Sequence, residues 1–182
     1  MKESELIKAA RKFDRDALRT IFDSYSPAIY EYAFRLCRDD IEADNIVGDV
    51  FAILLEQLAD GKGPKSDIKS HLFQITYGVI NDRTQSSRRL SPMETANFTE
   101  EPAASLPYLT ESEDELEAVI SAMDTELTAD QRQVLVLRFV EGFNVRETAT
   151  IIGKTENNVK VIQNRGLEKL RQAMNQKFGT QS

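Results

Sequence analysis

LTADQRQVLVLRFVEGFNVRETATIIGKTENNVKVIQNRGLEKLRQA, residues 127–173, decides how the chain is read. Apolar residues recur at helical spacing on both sides of Gly142 and again on both sides of Gly153, which predicts helix, helix, tight turn, helix. Ala149 is the small residue where two helices must touch, and four positions later Gly153 supplies the turn. Ile152, Val159 and Ile162 fall where a helix-turn-helix needs apolar packing, with Leu167 expected to join them. Thr128 and Gln131 form a capping box for a helix over 129–141 that Gly142 stops. The next helix spans 145–152, and Thr155 is the expected N-cap of a final helix from about 155 to 176.

In such a motif the first turns of the second helix enter the major groove. The positions that would face it are Glu156, Asn157, Asn158, Lys160, Val161, Asn164 and Arg165. Asparagine pairs with adenine edges, arginine with guanine and glutamate with the amino group of cytosine, while Lys154 or Lys160 suits a phosphate.

Upstream, the chain of 182 residues is poor in glycine and proline and has no runs of period-two alternation. The expected fold class is therefore all-α, in two small helical domains: 1–89, then an acidic linker over 90–112, then 113–178. The linker reading rests on RRLSPMETANFTEEPAASLPYLTES, residues 88–112, which holds three prolines and little periodicity. Twenty-five residues without a helical stripe mark a domain boundary. In the second domain a helix over about 113–125 should present Leu116, Val119, Ile120 and Met123.

In the front half, residues 3–12 predict a short helix. A second segment starts at Asp14 as N-cap, and Pro27 is expected to break it and restart a helix over 27–38. Residues 42–58, EADNIVGDVFAILLEQL, are the clearest amphipathic helix there, with Ile46, Val47, Val50, Phe51, Leu54, Leu55 and Leu58 as its stripe. Asp44, Asn45, Asp49, Glu56 and Gln57 lie opposite, on what is by default a solvated surface. ADGKGPKS, residues 59–66, is a loop by its turn chemistry. Ser66 or Asp67 caps a helix from 68 to about 87, whose stripe is Ile68, Leu72, Ile75 and Val79. Arg83, Arg88 and Arg89 cluster near its end beside the lysine-bearing loop, a possible phosphate-contacting edge. Exposed aromatics and bases over 59–89 suit either single-stranded nucleic acid or plain surface.

The net charge of −7 is unevenly spread. Residues 91–130 contain no lysine or arginine, whereas residues 131–182 are basic. An acidic connector thus precedes a basic tail domain, and the two suit different partners. One cysteine, Cys37, and one histidine, His71, exclude an intramolecular disulfide and argue against structural zinc. Cys37 reads as a buried core thiol and His71 as a packing residue. No nucleophile with its base, phosphate loop or metal cluster appears, so no enzyme activity, cofactor, metal or small-molecule substrate is expected. No signal core or membrane-spanning run is present, which places the chain in the cytoplasm with no membrane insertion.

The stretch LTADQRQVLVLRFVEGFNVRETATIIGKTENNVKVIQNRGLEKLR resembles region 4 of bacterial sigma factors. EADNIVGDVFAILLEQL followed by SHLFQITYGVINDRTQSSRR resembles region 2 of the same family, and the order of the two is similar to that of extracytoplasmic-function sigma factors. The resemblance implies a transcription initiation factor that docks on the clamp of core RNA polymerase through Asp44, Asn45, Asp49, Phe51 and Glu56. It implies minus-10 recognition and melting by Lys62, Lys65, His71, Arg83, Arg88 and Arg89. Region 4 would read minus-35 promoter DNA through Lys154, Thr155, Glu156, Asn157, Asn158, Lys160, Val161, Asn164 and Arg165, and pack on the polymerase flap. An anti-sigma factor is the family's usual regulator. The family usually carries tryptophan where His71 stands, asparagine at Gly78, arginine at Gln85, aspartate at Asn45 and glutamine at Gly48. The competing readings are a stand-alone helix-turn-helix regulator and a polymerase-binding module that has lost promoter melting.

Overall fold

The computed structural model describes residues 2–90 and 113–179. Their regular elements are all helices, and the chain divides into two compact units, Met1–Thr99 and Glu100–Ser182. The stretch expected as the linker lies, beyond Leu90, outside the described residues.

Unit one contains α1 (Glu3–Ala10), α2 (Arg15–Cys37), α3 (Asp40–Ala59) and α4 (Ile68–Leu90). Asp14 caps α2 as expected, accepting from Ala17 N at 2.9 Å. The expected break at Pro27 does not occur: α2 runs unbroken through it. Proline inside a helix removes one donor and costs about 3 kcal/mol. Here its ring is exposed, while Ala17 and Ile21 before it and Ile29, Tyr32 and Ala33 after it are all buried. Each large apolar side chain so buried contributes about 1.5–3 kcal/mol, enough to hold one continuous helix across the proline.

Three helices share the core of this unit. Ile21, Ile29 and Tyr32 from α2 meet Ile46, Val50 and Leu54 from α3 and Ile68, Leu72 and Phe73 from α4. Tyr32 and Phe73 pack with ring centroids 5.3 Å apart. The stripe expected on α4 is buried in full. That on α3 is not: Leu55 is exposed, and Phe51 is half-buried against Phe22 at 4.7 Å between centroids. The apolar arc of α3 is wider than the groove between α2 and α4, so its edge remains on the surface. Nor are there exposed aromatics over the described residues of 59–89, since Phe73 is buried and Tyr77 half-buried. Cys37 is half-buried at the end of α2 rather than in the core, its thiol donating to Asp39 O at 3.4 Å. Burial and neighbouring carboxylates push that thiol up.

Unit two contains α5 (Glu113–Thr125), α6 (Ala129–Leu135), a π-helical turn (Val136–Val140), α7 (Val145–Ile152) and α8 (Glu156–Phe178). The Thr128–Gln131 capping box is present, Gly142 has φ 77° and Gly153 φ 66°. Three expectations change. On α5 the buried line is Ala118 and Ala122, with Leu116, Val119, Ile120 and Met123 half-buried beside it, because α8 approaches closely enough for only small residues at the centre. The helix expected over 129–141 loosens after Leu135 into the π turn, where Glu141 N donates to Val136 O at 3.0 Å. On α8 the contact residue is Gly166, while Leu167 is exposed. A Cβ on Gly166 would stand 3.2 Å from Leu135 Cδ1 and 3.4 Å from Gln131 Cβ, so even an alanine there would require Leu135 to shift by a few tenths of an ångström.

Candidate nucleic-acid interface

In unit two the turn between α7 and α8 is built by three local devices. Asn144 and Glu147 form a reciprocal capping box: the Asn144 side chain accepts from Glu147 N at 2.9 Å and the Glu147 carboxylate from Asn144 N at 2.8 Å. At the other end of α7, Gly153 takes the left-handed conformation, and Lys154 N donates to Ala149 O at 3.0 Å. Thr155 then caps α8, accepting from Asn158 N at 3.2 Å. Ala149, Ile152 and Val159 are buried where the two helices meet, and Ile162 is half-buried.

That geometry leaves the first turns of α8 standing out from the unit. Glu156, Asn157, Asn158, Lys160, Val161, Asn164 and Arg165 are all exposed. Among the described residues no hydrogen bond or ion pair holds the side chains of Asn157, Asn158, Lys160, Asn164 or Arg165. Lys154 lies 3.7 Å from Asp130. Arg138, which the sequence did not single out, holds the motif together. Its Nε donates to Gln163 Oε1 at 2.9 Å and its Nη1 to the Phe143 carbonyl, tying the π turn to α8. An arginine at the end of an apolar run, followed by an interrupted helix, was its only signal.

Unit one presents a different surface. Asp44, Asn45, Asp49 and Glu56 are exposed along α3, and Phe51 with Phe22 and Leu55 adds an apolar strip beside them. Arg83 stands on the expected edge of α4, but its guanidinium grips α3, with Nη1 2.6 Å from Glu42 and Nη2 2.5 Å from Asp49. Nothing in the spacing of residues 42, 49 and 83 announced this pairing. His71 is half-buried between α4 and α3, its Nε2 hydrogen-bonded to Gln57 Oε1 at 2.6 Å, and burial pulls its pKa below the ordinary value of 6.5.

The loop between α3 and α4 is closely held. Gly61 has φ 72°, and Lys62 N donates to Gln57 O at 2.7 Å. Gly63 sits so tightly on Leu58 that a Cβ would lie 2.5 Å from Leu58 Cδ2. Lys62 and Lys65 are exposed on it, with Lys62 Nζ 3.3 Å from Asp60. Arg88 and Arg89 belong to the last turns of α4, and their side chains lie outside the described residues. Among the described residues no helix is long and apolar enough to cross a membrane.

Two helical units, one with a helix-turn-helix and one with an acidic helix beside a lysine-bearing loop, define a two-part DNA-engaging protein. Residues 21–90 match the family model for sigma-70 region 2, and residues 125–172 that for sigma-70 region 4. The chain is 26% identical over 165 residues to the ECF RNA polymerase sigma factor SigX of Bacillus subtilis, covering 87% of this chain and 84% of that one. Its fold is similar to that of the sigma factor RpoE of Bartonella quintana, solved with the anti-sigma factor NepR (TM-score 0.66, 21% identity, 90% of this chain and 97% of that one). It is also similar to that of CnrH, solved with the cytosolic domain of CnrY (TM-score 0.70, 20% identity, 95% and 97%). The chain belongs to the extracytoplasmic-function sigma factors of the sigma-70 family. It is an RNA polymerase sigma factor, which directs the polymerase to promoters.

Proposed function

We propose that the two units divide promoter recognition between them. Unit one docks on core polymerase through Asp44, Asn45, Asp49, Phe51 and Glu56 of α3, where carboxylates beside an apolar strip suit a basic surface with apolar sockets. Its loop and α4 then engage the minus-10 element, with Lys62, Lys65, Arg88 and Arg89 toward phosphate and His71 toward the opened strand. Arg83 contributes here by fixing α4 against the docking helix. Flipping a base out of the stack costs a few kcal/mol, which contacts from this edge would offset.

Unit two reads the minus-35 duplex through α8. Asn157, Asn158, Asn164 and Arg165 contact base edges with Glu156 and Val161, while Lys154, Thr155 and Lys160 hold the backbone. The observation that carries this reading is that the exposed, untied first turns of α8 follow directly on the capped turn of the helix-turn-helix, where such a motif presents its reading residues. Two weak readers on one chain raise each other's effective concentration, so specificity belongs to the holoenzyme and not to the free protein. The protein works in the cytoplasm as a non-catalytic subunit, and an anti-sigma factor covering the polymerase-binding faces is its expected regulator.

Run-off transcription tests this. Core polymerase with the purified full chain should select and transcribe one promoter class from a randomised library, with two separated conserved blocks in the selected sequences. Failure of the chain to confer any promoter-dependent product would leave only a polymerase-binding module. Selection of the upstream block by the chain without polymerase would favour a stand-alone regulator.

A further inference from the structure

The first helix of the chain is tied to the loop that carries Lys62 and Lys65, although the two are far apart in sequence. Arg11, just past the end of α1, donates from Nη2 to the Pro64 carbonyl at 3.0 Å. Glu3, in the first turn of α1, accepts from Ile68 N at 2.9 Å. Ile7 and Ala10 between them are buried, fixing α1 to α2.

Both bonds satisfy backbone groups that the loop cannot satisfy itself. Pro64 is buried, and its carbonyl would otherwise stand without a partner in a place that water reaches poorly. Ile68 N is one of the orphan donors in the first turn of α4. Asp67 takes a second of these, accepting from Ser70 N at 3.0 Å. The Glu3 carboxylate at this end also meets the positive pole of α4. Gly61 N on Leu58 O, Lys62 N on Gln57 O and Gly63 seated on Leu58 hold the start of the loop to α3. The holds at Pro64 and Ile68, farther along, come from α1 or its end. The Lys62 and Lys65 side chains reach solvent from this held backbone.

We infer that α1 is a strap that sets the conformation of the 60–67 loop, and that Glu3 and Arg11 are positioning residues for DNA opening. This rests on the reading above that the loop meets the minus-10 strand. A charged hydrogen bond lost from such a tie corresponds to about a tenfold effect on a step that needs the loop in place. Binding through α3 or α8 does not need it.

The test uses the full chain in reconstituted holoenzyme on a promoter selected as above. Four quantities are followed: polymerase affinity, closed-complex affinity, the rate of strand opening by permanganate reactivity, and amide exchange at residues 61–68. Arg11→Ala and Glu3→Ala should each slow opening about tenfold and speed exchange in the loop. Polymerase and closed-complex affinities should stay within about twofold of native. Arg11→Lys and Glu3→Gln, which keep a donor and an acceptor, should restore most of the opening rate. The Lys62→Ala, Lys65→Ala double variant serves as reference. If it loses opening while both α1 variants open normally, α1 is scaffolding and the inference fails alone. If the reference itself opens at the native rate, the loop is not a DNA contact, and the underlying reading falls with the inference. Polymerase affinity falling in parallel with opening would likewise overturn it, by making α1 a general structural support.

Discussion

The two units treat several of their polar side chains differently. In unit one Arg83 is bound to Glu42 and Asp49, His71 to Gln57, Lys62 to Asp60, and Arg11 and Glu3 to the loop, while Asp44, Asn45, Glu56 and Lys65 stand exposed. In unit two the side chains that would read DNA stand apart, while the cohesive work falls to Arg138 and to caps at Asn144 and Thr155. The cores differ in one respect. Both bury large side chains, Tyr32, Phe73 and Leu54 in unit one and Leu137, Ile151 and Val134 in unit two, but in unit two α8 also packs over a glycine, Gly166. On the proposed division of labour, the unit that opens DNA would need its contacts held in fixed places. The unit that reads an intact duplex could leave flexible side chains to settle on base edges.

The largest effect expected from this contrast is in the core. Leu54→Ala should destabilise unit one by about 2–5 kcal/mol, the usual range for deleting a fully buried leucine side chain. Amide exchange resolved by residue should show the loss in α2, α3 and α4 and leave α6–α8 unchanged. Loss of protection in both would mean the units unfold together and would break the comparison.

Next come the reading residues. Asn158→Ala and Arg165→Ala should each reduce minus-35 discrimination by about 1–3 kcal/mol in holoenzyme binding to matched and mismatched promoters. Because neither side chain is tied within the unit, melting temperature should not move. A drop in stability of the same size would show that α8 is held in a way its exposed turns do not suggest.

Arg83→Ala sharpens the other side of the contrast. Its two ion pairs are partly exposed, with side-chain exposures of 32% for Arg83, 35% for Glu42 and 53% for Asp49. The loss expected is about 1 kcal/mol, smaller in high salt, as measured by denaturant unfolding. A loss confined to DNA opening, with stability unchanged, would return Arg83 to the role of a direct phosphate contact.

The smallest effect concerns pH. Burial lowers the pKa of His71 in the folded protein, whereas the unfolded chain takes up a proton near 6.5. Unfolding therefore binds protons below that pH, and the stability of unit one should fall as pH drops through 6.5. His71→Gln removes this contribution, so the stability difference between the two proteins should change steadily with acidification and level off above about pH 7.5. A pH-independent difference would show that the ring is solvated equally in both states.

Much of this molecule is legible in its sequence because local rules agree with the tertiary packing. Capping at Asp14, Thr128 and Thr155, the turns at Gly142 and Gly153, and the stripe of α4 all follow from residue type and spacing. The misses occur where neighbours decide. Pro27 is tolerated because burial on either side exceeds its cost, and Leu55 is exposed because α2 and α4 do not extend over it. Gly166 rather than Leu167 faces α6 because the interhelical gap, invisible in a helical wheel, admits only the smaller residue. Long-range polar ties, such as Arg83 to α3 and Arg11 to Pro64, join positions tens of residues apart and leave no periodic trace.

The π turn at Val136–Val140 has a consequence for the length of the chain. Bonding from residue i to i+5 accommodates one residue more than an α-helical turn would. Phe139 is exposed on that turn, and Arg138 reaches from it to α8. A single-residue deletion inside α7 or α8 would rotate everything beyond it by about 100° and misphase the contacts that follow. A deletion within 136–140 has a regular helix to relax into, so a chain shortened there keeps the phase of the helices that follow. The turn acts as slack in the path between the capped entry helix α6 and the exposed first turns of α8.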